Sequence, residues 1–119
     1  MRERYKFRAW DKKINKMFYS DDCFFSFING NLIERDGENG SDKDSQIVMQ
    51  HTELKDKNGK EIYEGDIVIK NMPTEVIYQK GSYCIWYQGY LFALNEKLTE
   101  SEIEVIGNKY ENPKLVEDK

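Results

Sequence analysis

Six Leu and two Ala in 119 residues are too few for a helical bundle, whose packed faces draw on both. Histidine is scarcer still. His51 stands alone, so nucleophilic catalysis by a His-based dyad or triad has one possible base, and neither cysteine lies near it in sequence. Cys23 and Cys84 are far apart and outside any CxxC spacing, which predicts two free, buried thiols in a reducing compartment. No GxxxxGK run exists, and Gly59-Lys60 is followed by Glu61, so a phosphate-binding loop is excluded. Asp56-x-Asn58 begins like a calcium loop, but Lys60 takes the fifth position and Glu61 the place of the required Gly, so no metal and no cofactor is expected. Long apolar runs are also missing. The longest uncharged stretch, Gly81 to Asn95, is broken by Ser, Gln and Gly, and the first ten residues carry cations but no apolar core. Neither a signal peptide nor a membrane span is expected.

What is present points to strands. Sixteen aromatics and sixteen Ile and Val stand against the scarce Leu and Ala, and these residue types suit a pleated, half-buried surface. The length suits one domain, or one domain with a small lobe. A net charge of -4 argues against nucleic-acid binding by bulk field. The charges are unevenly spread: residues 1-19 carry seven cations and two anions, and residues 20-45 carry two cations and seven anions. That division predicts neighbouring strands that neutralise each other, with a basic docking strip as the alternative.

Along the chain, Arg4 to Trp10 alternates cation and apolar residue and reads as a half-buried strand, with Asp11 to Lys16 as its turn and Met17 to Tyr19 as its return. Cys23 to Ile28 and Leu32 to Glu34 form a second hairpin across Asn29-Gly30-Asn31. Asp36 to Gln46 has no apolar residue and predicts a mobile loop that separates an N-terminal β lobe, residues 1-45, from residues 46-119. Ile47 to Gln50 opens the second part as a short strand. Asn58, Gly59, Gly65 and Asp66 mark structural turns, and Ile67-Val68-Ile69 is a strand apolar on both faces. Thr74 to Gln79, Tyr83 to Gln88, Gly89 to Leu94 and Ile103 to Gly107 read as four further strands, economically closed as a small barrel. Thr99-x-x-Glu102 fits a capping box, but the β-branched run after it favours a short turn. Asn112-Pro113 predicts a short C-terminal helical turn.

Three blocks, Lys6 to Asp11, Gln50 to Val68, and Glu104 to Leu115, resemble in residues and order the YopX family of phage and prophage proteins. The resemblance implies an all-β protein whose C-terminal part is an SH3-like barrel, in the cytoplasm of a bacterial host cell. It implies no activity and no catalytic residue. At positions 51-53 this chain has His-Thr-Glu where the family pattern has an aromatic, Thr and Gly, which puts a left-handed turn at Glu53 in doubt.

Function therefore rests on surfaces. Carboxylates at Asp21, Asp22, Glu61, Glu64 and Asp66 could do acid-base work only as a selected pair, and the sequence selects none. The candidate recognition strip is Arg4, Lys6, Arg8 and Trp10, which share one parity of the first strand. The expected role is a non-enzymatic module that binds a protein partner, with nucleic acid as the alternative through that basic strand. Tyr83, Ile85 and Tyr87 line one strand face, Cys84 and Trp86 the other, and Tyr90, Phe92 and Leu94 add a third apolar stripe. One barrel has one interior, so a homo-oligomer is a further expectation.

Overall fold

β1 (Phe7–Asp11) and β2 (Lys16–Tyr19) form the expected hairpin, with Asp11 opposite Lys16. Asp11 builds its turn. Oδ1 accepts from the backbone N–H of Lys13 at 2.8 Å and of Ile14 at 3.2 Å, and Oδ2 accepts from the Ser41 hydroxyl at 2.7 Å. Asn15, at φ 55°, takes the left-handed position that Asn tolerates. Burial pushes the Asp11 carboxyl up, but the Ser41 bond, the two N–H groups and the charge of Lys13 together outweigh it and hold the pKa below the usual range.

The computed structural model describes residues 6-25, 32-34 and 40-116, in two units, 1-50 and 51-119. In the first unit, β3 (Cys23–Phe25) pairs with β4 (Leu32–Glu34) as expected; the Asn29-Gly30-Asn31 turn lies outside the described residues. β5 (Gly40–Ser41) extends this sheet, and a 3-10 turn follows at Lys43–Ser45. The polar segment expected to be a mobile loop is therefore structured from Gly40 onward, because Ser41 is buried and held by Asp11. β6 (Gln46–Lys55) is a ten-residue strand where four residues were expected, and its first half pairs with β1. The order β2-β1-β6 corrects the expected pairing of the basic and acidic segments as neighbouring strands, since neither strand beside β1 comes from the acidic segment. Ala9, Phe18 and Cys23 form the core of this unit, with Phe7 packed against them.

In the second unit the remainder of β6 returns as β7 (Glu61–Tyr63), with Lys55 opposite Glu61 and a shift of register before His51 meets Tyr63. The shift coincides with Glu53, which takes φ 69° although it is not Gly, so the left-handed turn persists. His51 keeps an aromatic contact, its ring edge-on to Tyr63 at 5.0 Å. β8 (Asp66–Lys70) pairs with β9 (Met72–Glu75). The single strand expected over Thr74 to Gln79 is split, because Val76 is fully buried and its backbone is tied to Asp66 and Gly65. β10 (Ile77–Gln79), β11 (Ser82–Tyr87) and β12 (Tyr90–Ala93) then form a separate three-stranded sheet. Lys80-Gly81 (φ 56° and 84°) and Gln88-Gly89 (φ 52° and 86°) join them, both residues left-handed as a two-residue hairpin turn of the right twist requires.

A helix, α1 (Glu96–Glu102), stands where a short turn was expected. Asn95 is its cap, accepting from Leu98 N–H at 2.9 Å, while Thr99, read from sequence as the cap, is fully buried within the helix. β13 (Glu104–Asn108) pairs with β8 through a bulge before Gly107, where a Cβ would lie 2.5 Å from Asn112 Oδ1. The expected C-terminal turn is a 3-10 turn at Pro113–Leu115 with Pro first; Asn112 serves Asn108 N–H instead of capping it. Ile62, Val68, Val76, Ile85, Ile103 and Val105 form the core, with Leu54, Tyr83, Leu94 and Leu98 against it. The chain is thus predominantly β with one short helix among the described residues.

Candidate functional site

The strip read from the first strand is not an exposed surface. Arg4 lies outside the described residues, and Lys6 is half-buried with its Nζ 3.6 Å from the Asp21 carboxylate. Arg8 and Trp10 are only 2% and 9% exposed. Alternation assigns side chains to two faces of β1, but Arg8, Ala9, Trp10 and Asp11 are all buried, so both faces are covered. Internal pairing, the competing expectation for these charges, is what Lys6 shows.

The turn residues hold backbone. Asp56, buried in the β6–β7 turn, accepts at Oδ1 from Asn58 N–H (2.9 Å) and Lys60 N–H (2.8 Å), and at Oδ2 from Val105 N–H (2.8 Å). Gly59 takes φ 84° in that turn, with open space where a Cβ would stand. Gly65 takes φ 88°, and Asp66 Oδ2 accepts from Tyr63 N–H at 2.7 Å just as β8 begins. Asp66 is therefore buried in a structural bond, while Glu61 lies 3.9 Å from His51 Nε2. His51 Nδ1 accepts from Glu53 N–H at 3.1 Å, a turn role. Cys23 and Cys84 are buried and form no disulfide. Among the described residues no group of three or more His, Cys, Asp or Glu could hold a metal ion, and no helix is long and apolar enough to cross a membrane.

The feature that does present chemistry outward is the sheet β10-β11-β12. Its register pairs Ile77 with Cys84 and Cys84 with Ala93, then Trp86 with Leu91. Residues directly opposite share a face, so Ile77, Cys84, Trp86, Leu91 and Ala93 lie together. On this face Trp86 is 52% exposed. The other face begins in the core with Tyr83, Ile85 and Leu94, and leaves it at Tyr87, Phe92 and Tyr90, the last two 43% and 71% exposed. Tyr87 meets Phe92 edge-on at 5.8 Å and Tyr78 meets Tyr83 at 4.9 Å. Lys70 Nζ sits 4.7 Å over the Tyr87 ring, and Asn71 Nδ2 donates to Tyr87 Oη at 2.7 Å, so the hairpin tip is fastened to the end of β8. Burial raises the Tyr83 pKa, aided by the charge of Glu64, and keeps its hydroxyl neutral. The sequence shows these apolar stripes but not which rings face water. Lys80-Gly81 and Gln88-Gly89 are the signal that could have set the register, as two-residue turns between apolar runs.

Two solved structures share this architecture. A crystal structure of protein EF1440 from Enterococcus faecalis superposes with a TM-score of 0.73 at 25% identity, covering 98% of this chain and all of that one. The X-ray structure of protein yopX from Bacillus subtilis superposes with a TM-score of 0.65 at 23% identity, covering 96% of this chain and 97% of that one. No curated protein matches the sequence. The family model described as YopX protein matches residues 6-117, and the chain belongs to the YopX family.

Proposed function

We propose that this chain is a non-enzymatic phage or prophage accessory protein that acts in the cytoplasm of the bacterial host as a protein-binding module, its second unit closing as a small SH3-like barrel. The resemblance to phage and prophage proteins supports the setting. The observation that carries the binding role is the uncharged face of Ile77, Trp86, Leu91 and Ala93, with Trp86 half exposed to water. Covering such a ring gains roughly 25 cal/mol per Å² of apolar surface, and Trp and Tyr dominate the energetics of protein interfaces. A phosphate backbone would need cations, and Gly81 to Asn95 has none. The partner that suits this face is a protein with an apolar, uncharged surface. The nucleic-acid alternative loses two of its four residues to burial, Arg8 and Trp10.

The test is affinity purification from infected host cells, with nuclease treatment, a salt series and a Trp86→Ala variant run in parallel. A protein retained through nuclease and high salt, and lost with Trp86→Ala at unchanged melting temperature, supports the reading. Material released by nuclease or by salt overturns it in favour of nucleic acid.

A further inference from the structure

The sheet edges of the second unit are not alike. β9, at one side of the β13-β8-β9 sheet, contains Pro73, which has no N–H to offer, and ends at Glu75, paired with Lys109 Nζ at 3.0 Å. Proline and charge are what keep an edge strand from pairing with another chain. β12 reads Tyr-Leu-Phe-Ala, without either, and among the described residues no strand pairs with its outer side.

Its backbone register is fixed. Leu94 N–H donates to Tyr83 O at 2.8 Å, which makes Tyr83 and Leu94 a hydrogen-bonded pair. Hydrogen-bonded pairs recur every second residue, so Ile85 with Phe92 and Tyr87 with Tyr90 are the next. The N–H and C=O of Tyr90 and Phe92 therefore point to β11, and those of Leu91 and Ala93 point away from it.

We propose that a second copy of this chain pairs along this edge, β12 antiparallel to β12, about a two-fold axis at Phe92. The inference rests on the reading of this sheet as the contact surface. Leu91 and Ala93 flank Phe92 symmetrically, so a two-fold brings the outward groups of Leu91 onto those of Ala93 of the second copy, and the reverse. The same operation sets Phe92 against Phe92 of the second copy and Tyr90 against Leu94 of the second copy. Every cross-strand pair is uncharged, although the chain as a whole carries -4 and its other residues would repel a copy. An edge that complements itself and is neutral selects a second copy over a charged partner. Trp86 lies on the middle strand, β11, away from this seam, so the joined sheet carries the partner-binding face twice.

Light scattering on the full chain tests this. At about 100 µM the wild type should show twice 14.2 kDa. Phe92→Lys and Phe92→Glu should each halve that mass, since like charges then face each other, and mixing the two should restore it as Lys meets Glu. Ala93→Pro removes an outward N–H while sparing the bonds to β11, and should also halve the mass with an unchanged circular dichroism spectrum. A wild type of single mass, retention of the double mass by both Phe92→Lys and Ala93→Pro, or a mixture that stays single, overturns the pairing. Single mass with Trp86-dependent partner capture intact overturns the dimer and leaves the proposed function standing. Double mass with capture indifferent to Trp86→Ala supports the dimer and overturns the proposed function instead.

Discussion

β1 and β12 make an instructive pair. β1 carries an arginine and an aspartate, and both are buried; β12 carries Tyr90 and Phe92, and both are exposed. The difference lies in sheet position. β1 runs between β2 and β6, whereas β12 closes the end of its sheet. Three interior carboxylates serve the protein's own backbone: Asp11, Asp56 and Asp66 each accept from N–H groups at turns. The exposed rings serve nothing comparable within the described residues. Buried carboxylates hold the turns, while apolar side chains fill the cores and, on β12, also lie exposed.

The contrast breaks first at Asp56. Asp56→Ala strands three backbone N–H groups, among them the buried Val105, and should cost on the order of 2-4 kcal/mol. Urea denaturation would show this as a lower midpoint at unchanged slope; a loss below about 0.5 kcal/mol would mean that the carboxylate is not the anchor of this turn. Next is Gly59→Val. Open space surrounds the missing Cβ, so only the left-handed backbone is at stake, and the expected cost is about 1-2 kcal/mol by the same measurement. Unchanged thermal stability would count against the strained turn.

Asp11 sharpens the contrast through pH. Its folded pKa lies below the ordinary carboxylate value near ~3.9, so the ion stabilises the fold above that value, and the contribution is lost as pH falls through the folded pKa. The melting-temperature gap between wild type and Asp11→Asn should be full at neutral pH and narrow as pH falls below the ordinary carboxylate value toward the lower folded pKa. A gap constant down to pH 2 would detach the ionised carboxylate from stability. The smallest effect belongs to the exposed sheet: Trp86→Ala should change stability by less than about 0.5 kcal/mol. A loss of 2 kcal/mol or more would reassign that ring to the core.

Local chemistry was legible in the sequence, and tertiary cover was not. Asn58-Gly59 and Gly65-Asp66 announce their turns because the left-handed φ and the Asp bond are settled within four residues. The β1–β2 hairpin is equally local. By contrast, alternation in β1 says which side chains share a face, but not that both faces are covered, so it does not decide whether Arg8 and Trp10 meet solvent or lie covered within the chain. The split at Val76 depends on bonds to Asp66 and Gly65, ten and eleven residues away, and leaves no mark in its own segment. α1 was missed because the β-branched run after Thr99-x-x-Glu102 favours a short turn, when the cap is Asn95, four residues before Thr99. The candidate site was half visible: its stripes could be read, but their exposure followed from two X-Gly turns that set the register.

Amide hydrogen exchange across a concentration series tests the central claim, that the uncharged edge strand β12 is where this protein meets a second copy of itself. Tyr90 and Phe92 donate toward β11 and should be protected at every concentration, while Leu91 and Ala93 should exchange freely in dilute solution and gain protection as the second copy binds. Leu91 and Ala93 amides that exchange equally fast from dilute to about 100 µM protein would contradict it.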